Sequence, residues 1–151
     1  MTLAVGHSTP VFKGTIERLR LADYARALKL QNPIHFDVEA ARKAGFRDVV
    51  APPGFVISHT IQPRSVKLGT FGIEEKRALM GEMQFEPLAP ICAGDTLTGK
   101  SVLTDLQEKP GRDGKPPMEV FVLETTFEDE HGVRVLRIVE TLLQRKEVKH
   151  A

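Results

Sequence analysis

The feature that most constrains how this chain can fold is a change of hydrophobic period near Met80. From there on, four runs are rich in Val, Leu, Thr and Phe: MGEMQFEP (80–87), TLTGKSVLTDL (96–106), MEVFVLETTFED (118–129) and VRVLRIVETLLQR (133–145). Turn-forming segments separate them, namely Pro87 to Gly94, then KPGRDGKPP, then EDEHG. Branched and aromatic side chains suit a pleated surface, and Gly, Pro and Asp interrupt it, so these runs read as four strands of one antiparallel sheet. In the third run both faces carry large residues, Val120 and Val122 on one and Phe121 and Leu123 on the other. A strand of that kind needs cover on each side.

The first half supplies the cover. Leu21, Tyr24, Ala25 and Leu28 recur at helical spacing, and Asn32-Pro33 ends the pattern because the residue before a proline is pushed out of the α region. Asp37 is placed to cap a second helix, VEAARKAG, that Gly45 closes in a left-handed conformation. A third helix is predicted to start near Gly54, after Pro52-Pro53, and to carry Phe55, Val56, Ile57 and Ile61 around enough of its circumference for burial. VFKGTIERL (11–19) adds a fifth strand. The result is an α+β arrangement, an antiparallel sheet curled around one long helix, with residues 1–151 forming a single domain.

Size and charge narrow the function classes. A chain of 151 residues buries about 68–70% of the surface its unfolded form exposes, enough to fold without staples. Lys and Arg number 21 against 20 Asp and Glu, a net charge of +1, so no bulk field draws in nucleic acid or a membrane surface. Cys92 stands alone, the opening MTLAVGHSTP is unlike a secretory leader, and the apolar runs are short for a bilayer. An intracellular, cytoplasmic chain with a reduced thiol is expected. Five histidines lie scattered without metal-ligand spacing, so neither a metal nor another cofactor is expected.

One compound motif carries chemistry. NPIHFD (32–37) places His35 between two helical segments. With its surroundings, YARALKLQNPIHFDVEAARKAGFRDVVAPPGF (24–55), and with FEPLAPICAGDTL (85–97) and the closing strand to Arg145, it resembles the MaoC-like dehydratases over roughly residues 11–146. The likeness is greatest to the branch forming the smaller or N-terminal half of two-part dehydratases. It implies a hot-dog fold of about five strands and reversible addition of water to a 2-enoyl thioester of coenzyme A or acyl carrier protein. In that family an aspartate and a histidine, four residues between them, hold one water, and amides at the start of the central helix bind the thioester oxygen as it gains charge.

Transferred to this chain, the resemblance makes His35 the catalytic residue and Asn32, Pro53, Gly54, Phe55 and Ser58 the substrate-binding ones. Two positions depart from the pattern. Leu30 stands where the aspartate belongs, and Pro52-Pro53 replaces His-Gly at the helix start, leaving Gly54 to offer the next amide. Each residue also has a structural reading. His35 can simply fill space, Asn32 before Pro33 commonly opens a turn, and Ser58 or His59 on a buried helix commonly bonds a backbone carbonyl. KPGRDGKPP could take a carrier's phosphates but matches ordinary hairpin chemistry.

Three readings follow. One is a hydratase/dehydratase, one a non-catalytic subunit that shapes the acyl pocket for a separate catalytic chain, and one a hot-dog acyl-CoA thioesterase, which needs a carboxylate beside the thioester. The first two predict a dimer, with itself or with a related hot-dog chain.

Overall fold

The computed structural model describes residues 3–58 and 64–146, and of Ser58 the main chain only. In chain order the elements are β1 (Phe12–Thr15), α1 (Arg18–Ala27), a 3₁₀ turn (Pro33–His35), α2 (Val38–Lys43), α3 (Phe55–Ser58), α4 (Arg64–Thr70), β2 (Ala78–Pro87), β3 (Thr96–Lys109), β4 (Met118–Glu128) and β5 (Arg134–Arg145). The five strands form one antiparallel sheet in the order β1-β3-β4-β5-β2. Register shifts at Met80/Glu82 and Leu103/Asp105 add the local twist that helps a long sheet to curl. Gly99 has a packing reason to be glycine: a Cβ there would stand 2.3 Å from the Phe12 ring.

Alternation along the strands puts one face against the helices. On β5 the buried inner residues are Leu136, Ile138, Glu140, Leu142 and Gln144, and on β4 they are Phe121, Leu123, Thr125 and Phe127. The core they build has two apolar parts. Val49, Phe55 and Val56 pack with Leu97, Phe127 and Ile138, while Leu68 and Phe71, on and just after α4, pack with Leu103, Phe121 and Leu142. A polar band crosses the sheet between the two parts. Ser101 and Thr125 face each other with their hydroxyls 2.7 Å apart, and Glu140 on β5 is paired with Lys67 of α4.

The hot-dog expectation holds, and the strand positions match. The predicted long helix falls on Phe55–Ser58 and Arg64–Thr70, and its course between them lies outside the described residues. The predicted helical residues His59 and Ile61 lie outside the described residues. Cover on both sides of β4 is only partly realised. Phe121 and Leu123 are sealed, but Val122 stays half-buried beside an outer surface where Arg137 donates to Glu124 (2.9 Å) and Glu86 (3.2 Å).

Candidate active site

The segment around His35 is shaped by its caps. Helix α1 ends with Lys29 in a left-handed conformation (φ 54°), its N–H donating to Arg26 O (2.9 Å) while the Leu30 N–H donates to Ala25 O (3.0 Å). That is a Schellman closure, with Leu30 in the position following the left-handed residue. Asn32 Oδ1 then accepts the Ile34 N–H (3.2 Å) and starts the 3₁₀ turn. Asp37 Oδ1 accepts the N–H groups of Glu39 (2.8 Å) and Ala40 (3.2 Å) and caps α2, a bond set worth about 1 kcal/mol. Gly45 follows α2 with φ 94°. His35 therefore sits at a point fixed from both directions.

Main-chain bonds fix the ring itself. The Val50 N–H donates to Ile34 O (2.9 Å), and Val50 O accepts from His35 Nδ1 (2.7 Å). A carbonyl oxygen only accepts, so Nδ1 carries the hydrogen, and in the neutral ring Nε2 is left as the acceptor. Among the described residues Nε2 has no hydrogen-bond partner. The strip behind it is held in turn: Ala51 N–H bonds Ile91 O (2.7 Å), Ala93 N–H bonds Val49 O (2.9 Å), and Asp95 Oδ2 accepts the Cys92 N–H (2.8 Å). Arg47 Nε donates to the other Asp95 oxygen (3.0 Å), so this buried carboxylate is paired.

His35 lines an open cleft of about 410 Å³, walled by Pro52, Pro53 and Val56 on one side and by Phe85, Leu88 and Leu136 on the other. The lining is apolar except for the imidazole, and no carboxylate lines it among the described residues. Asp37 is occupied as a cap, and Asp23 pairs with Arg26 (3.0 Å) at the surface. Cys92, next to the wall residue Ile91, is buried, and burial pushes its thiol up, which keeps it protonated and poorly nucleophilic. No metal-holding cluster occurs among the described residues.

The cleft brings together some of the candidate residues and not others. His35 and Pro53 line it. Asn32 is exposed and serves the turn, as its structural reading has it. Gly54 has φ 84°, and a Cβ on it would meet the Tyr24 hydroxyl at 2.9 Å, so it packs under α1. Phe55 is buried in the core, edge-on to Tyr24 with ring centroids 5.5 Å apart. Ser58 lies on α3, and its side chain lies outside the described residues. Leu30 is partly buried and does not line the cleft. Two contributors escaped the sequence reading. One is Val50, which acts through its main chain and leaves no side-chain signal. The other is Tyr24, whose only signal was being the sole tyrosine, on the inward face of α1.

Residues 3–138 match the family described as FAS1-like, dehydratase domain region. The chain belongs to that family. A chain of this FAS1-like dehydratase region is similar to the UPF0336 protein of Clavibacter michiganensis, at 32% identity over 133 residues, covering 86% of this chain and 85% of that one. Its fold superimposes on a solved MaoC-like dehydratase with a TM-score of 0.77 and 27% identity, over 94% of this chain and 42% of the other. It also superimposes on a C-terminally truncated HadBC (3R-hydroxyacyl-ACP dehydratase) complex of Mycobacterium tuberculosis, with a TM-score of 0.73, 22% identity, and coverage of 94% and 99%. The resemblance to MaoC-like hot-dog proteins, drawn from the segments around NPIHFD, thus stands. No helix among the described residues is long and apolar enough to cross a membrane.

Proposed function

We propose that this chain is one half of a two-chain acyl-thioester hydratase/dehydratase of the MaoC-like type. Its cleft holds the 2-enoyl or 3-hydroxyacyl group of a coenzyme A or acyl carrier protein thioester. His35 bonds the water that adds at C3 or leaves from it, and the carboxylate that shares this water comes from a second, related hot-dog chain.

One observation carries the reading: an imidazole oriented by Val50 O opens on an apolar cleft that contains no carboxylate among its described residues. Hydration needs one group to take a proton from water while a proton reaches C2, and a lone imidazole is an incomplete set for that task. The same absence counts against the thioesterase, which needs a carboxylate beside the carbonyl. The second chain has a place to dock. β2 is an edge strand, and Leu79 and Met80 on it and Leu88 just beyond it are exposed. The HadBC structure, similar in fold, is named as a complex of a dehydratase.

A self-sufficient hydratase is the second reading, favoured by the acceptor position left open at Nε2. Assay of 2-enoyl-CoA hydration by loss of conjugated absorbance separates the two. The isolated chain is expected to show no turnover, and turnover that His35→Ala abolishes should appear on adding a copurifying or co-expressed related chain that supplies the carboxylate. Brisk hydration by the purified chain alone would defeat the two-chain reading and establish the second.

A further inference from the structure

A second cavity, of about 130 Å³, lies under α3 on the inner face of the sheet. Its walls include Val56, Ile57, Met83 and Phe127, and its polar members are Thr125, Glu140, Lys67 and Arg64. Val56 lines this cavity and the His35 cleft alike, so the two spaces approach each other at that residue. The Glu140 side chain is 3% exposed. Its Oε2 takes Lys67 Nζ, but Oε1 has no partner among the described residues. A buried carboxylate oxygen left unpaired is costly and rare, and where it faces a cavity it points to a hydrogen-bond donor that belongs there. An alkyl chain would bring the opposite, displacing solvent from an ion pair with nothing to replace its bonds.

We propose that this inner cavity receives the far end of the acyl group and selects one bearing a hydroxyl, which donates to Glu140 Oε1 and can accept from the Thr125 hydroxyl. The selection rests on the acyl-thioester reading of the cleft; the cavity and its unpaired oxygen do not. A hydroxyl replaces the bonds of the expelled water, whereas a methyl end leaves the carboxylate oxygen bare. A bond to a charged group of this kind corresponds to roughly a tenfold or greater difference in affinity between matched ligands.

Calorimetric titration of the protein, alone and with its partner chain, uses saturated acyl-CoA esters of graded length, each compared with its ω-hydroxy counterpart. At the length that spans both cavities the hydroxylated ester is expected to bind about tenfold tighter. In the Lys67→Met/Glu140→Leu double variant, which keeps the volume and removes both charges, the preference should reverse. Equal affinity at every length, or a hydroxyl preference surviving in the double variant, would overturn the proposal. A second readout is independent of the thioester: n-butanol should perturb the Val56 and Thr125 methyl resonances of the native chain at lower concentration than n-pentane does, and the order should reverse in the double variant. Butanol binding without any acyl-CoA binding would retire the thioester reading and leave the site; no butanol response would retire the site.

Discussion

The two cavities that share Val56 handle polar groups in opposite ways. In the cleft, one imidazole is set by main chain, through Val50 O, amid apolar walls. In the inner cavity, a buried carboxylate on β5 and a partly buried ammonium on α4 set each other. A ring oriented by the backbone is cheap to keep and keeps its second nitrogen available. An ion pair inside a core repays its desolvation only with both members present, so it serves recognition better than turnover.

The harshest way to break this comparison is to remove one member of the pair. Lys67→Ala strands the buried Glu140 carboxylate and is expected to cost about 3–5 kcal/mol in urea unfolding, Glu140→Ala less because the partly exposed Lys67 can reach solvent, while the Lys67→Met/Glu140→Leu double variant should stay near native stability. Single variants as stable as the double would mean that the pair is solvated. Next is His35→Ala, expected to lower kcat/KM of the assembled two-chain enzyme about 10²-fold, the low end for a general acid/base group, with little change in melting temperature. An unaltered rate would move all the chemistry to the second chain.

Gly54→Ala tests whether the helix start is held by backbone geometry. The left-handed conformation alone costs an alanine about 1–2 kcal/mol, and the Tyr24 hydroxyl 2.9 Å from the new Cβ adds to that. Lys29→Gly works in the other direction on the loop leading to His35. Relief of about 1–2 kcal/mol in a left-handed residue is partly offset by about 0.5–1 kcal/mol of added backbone entropy, so a net gain of roughly 0.5 kcal/mol is expected in thermal unfolding.

The smallest effect concerns the strip behind the cleft. Its first residue, Asp48, accepts from Arg18 Nε (3.0 Å) and from the Val49 N–H (2.8 Å), and the Arg18 guanidinium holds its carboxyl below the usual range against the opposing effect of burial. The folded value lies below the unfolded one, so the stabilisation is present above the unfolded pKa and fades as pH falls through the folded one. Asp48→Asn should flatten that part of the acid unfolding curve, and an unchanged curve would show the pair to be inconsequential.

Much of the frame was legible because it rests on local rules. Strand positions followed from alternation and turn residues, the α2 cap from Asp37, and the break before the 3₁₀ turn from Asn32-Pro33. The candidate site was legible only at His35 and Pro53. Phe55 looked like a pocket residue but is core, and Asn32 is a cap, because a side chain's neighbours are chosen by packing. Glu140 resembled any charged residue in a strand until β5 was seen to turn it inward against Lys67, 73 positions away.

What the chain determined by itself is the succession of helices in its first half and long strands in its second, the turns between them and the imidazole at position 35, since each depends on backbone preferences within a few residues. Only the folded sheet decided that Val50 O would hold that ring, that no carboxylate among the described residues would share its cleft, and that Val56 would line both an apolar space and a charged one. Those are facts about atoms far apart in sequence, brought within a few ångströms by the burial of one face of the sheet, and no local pattern encodes them.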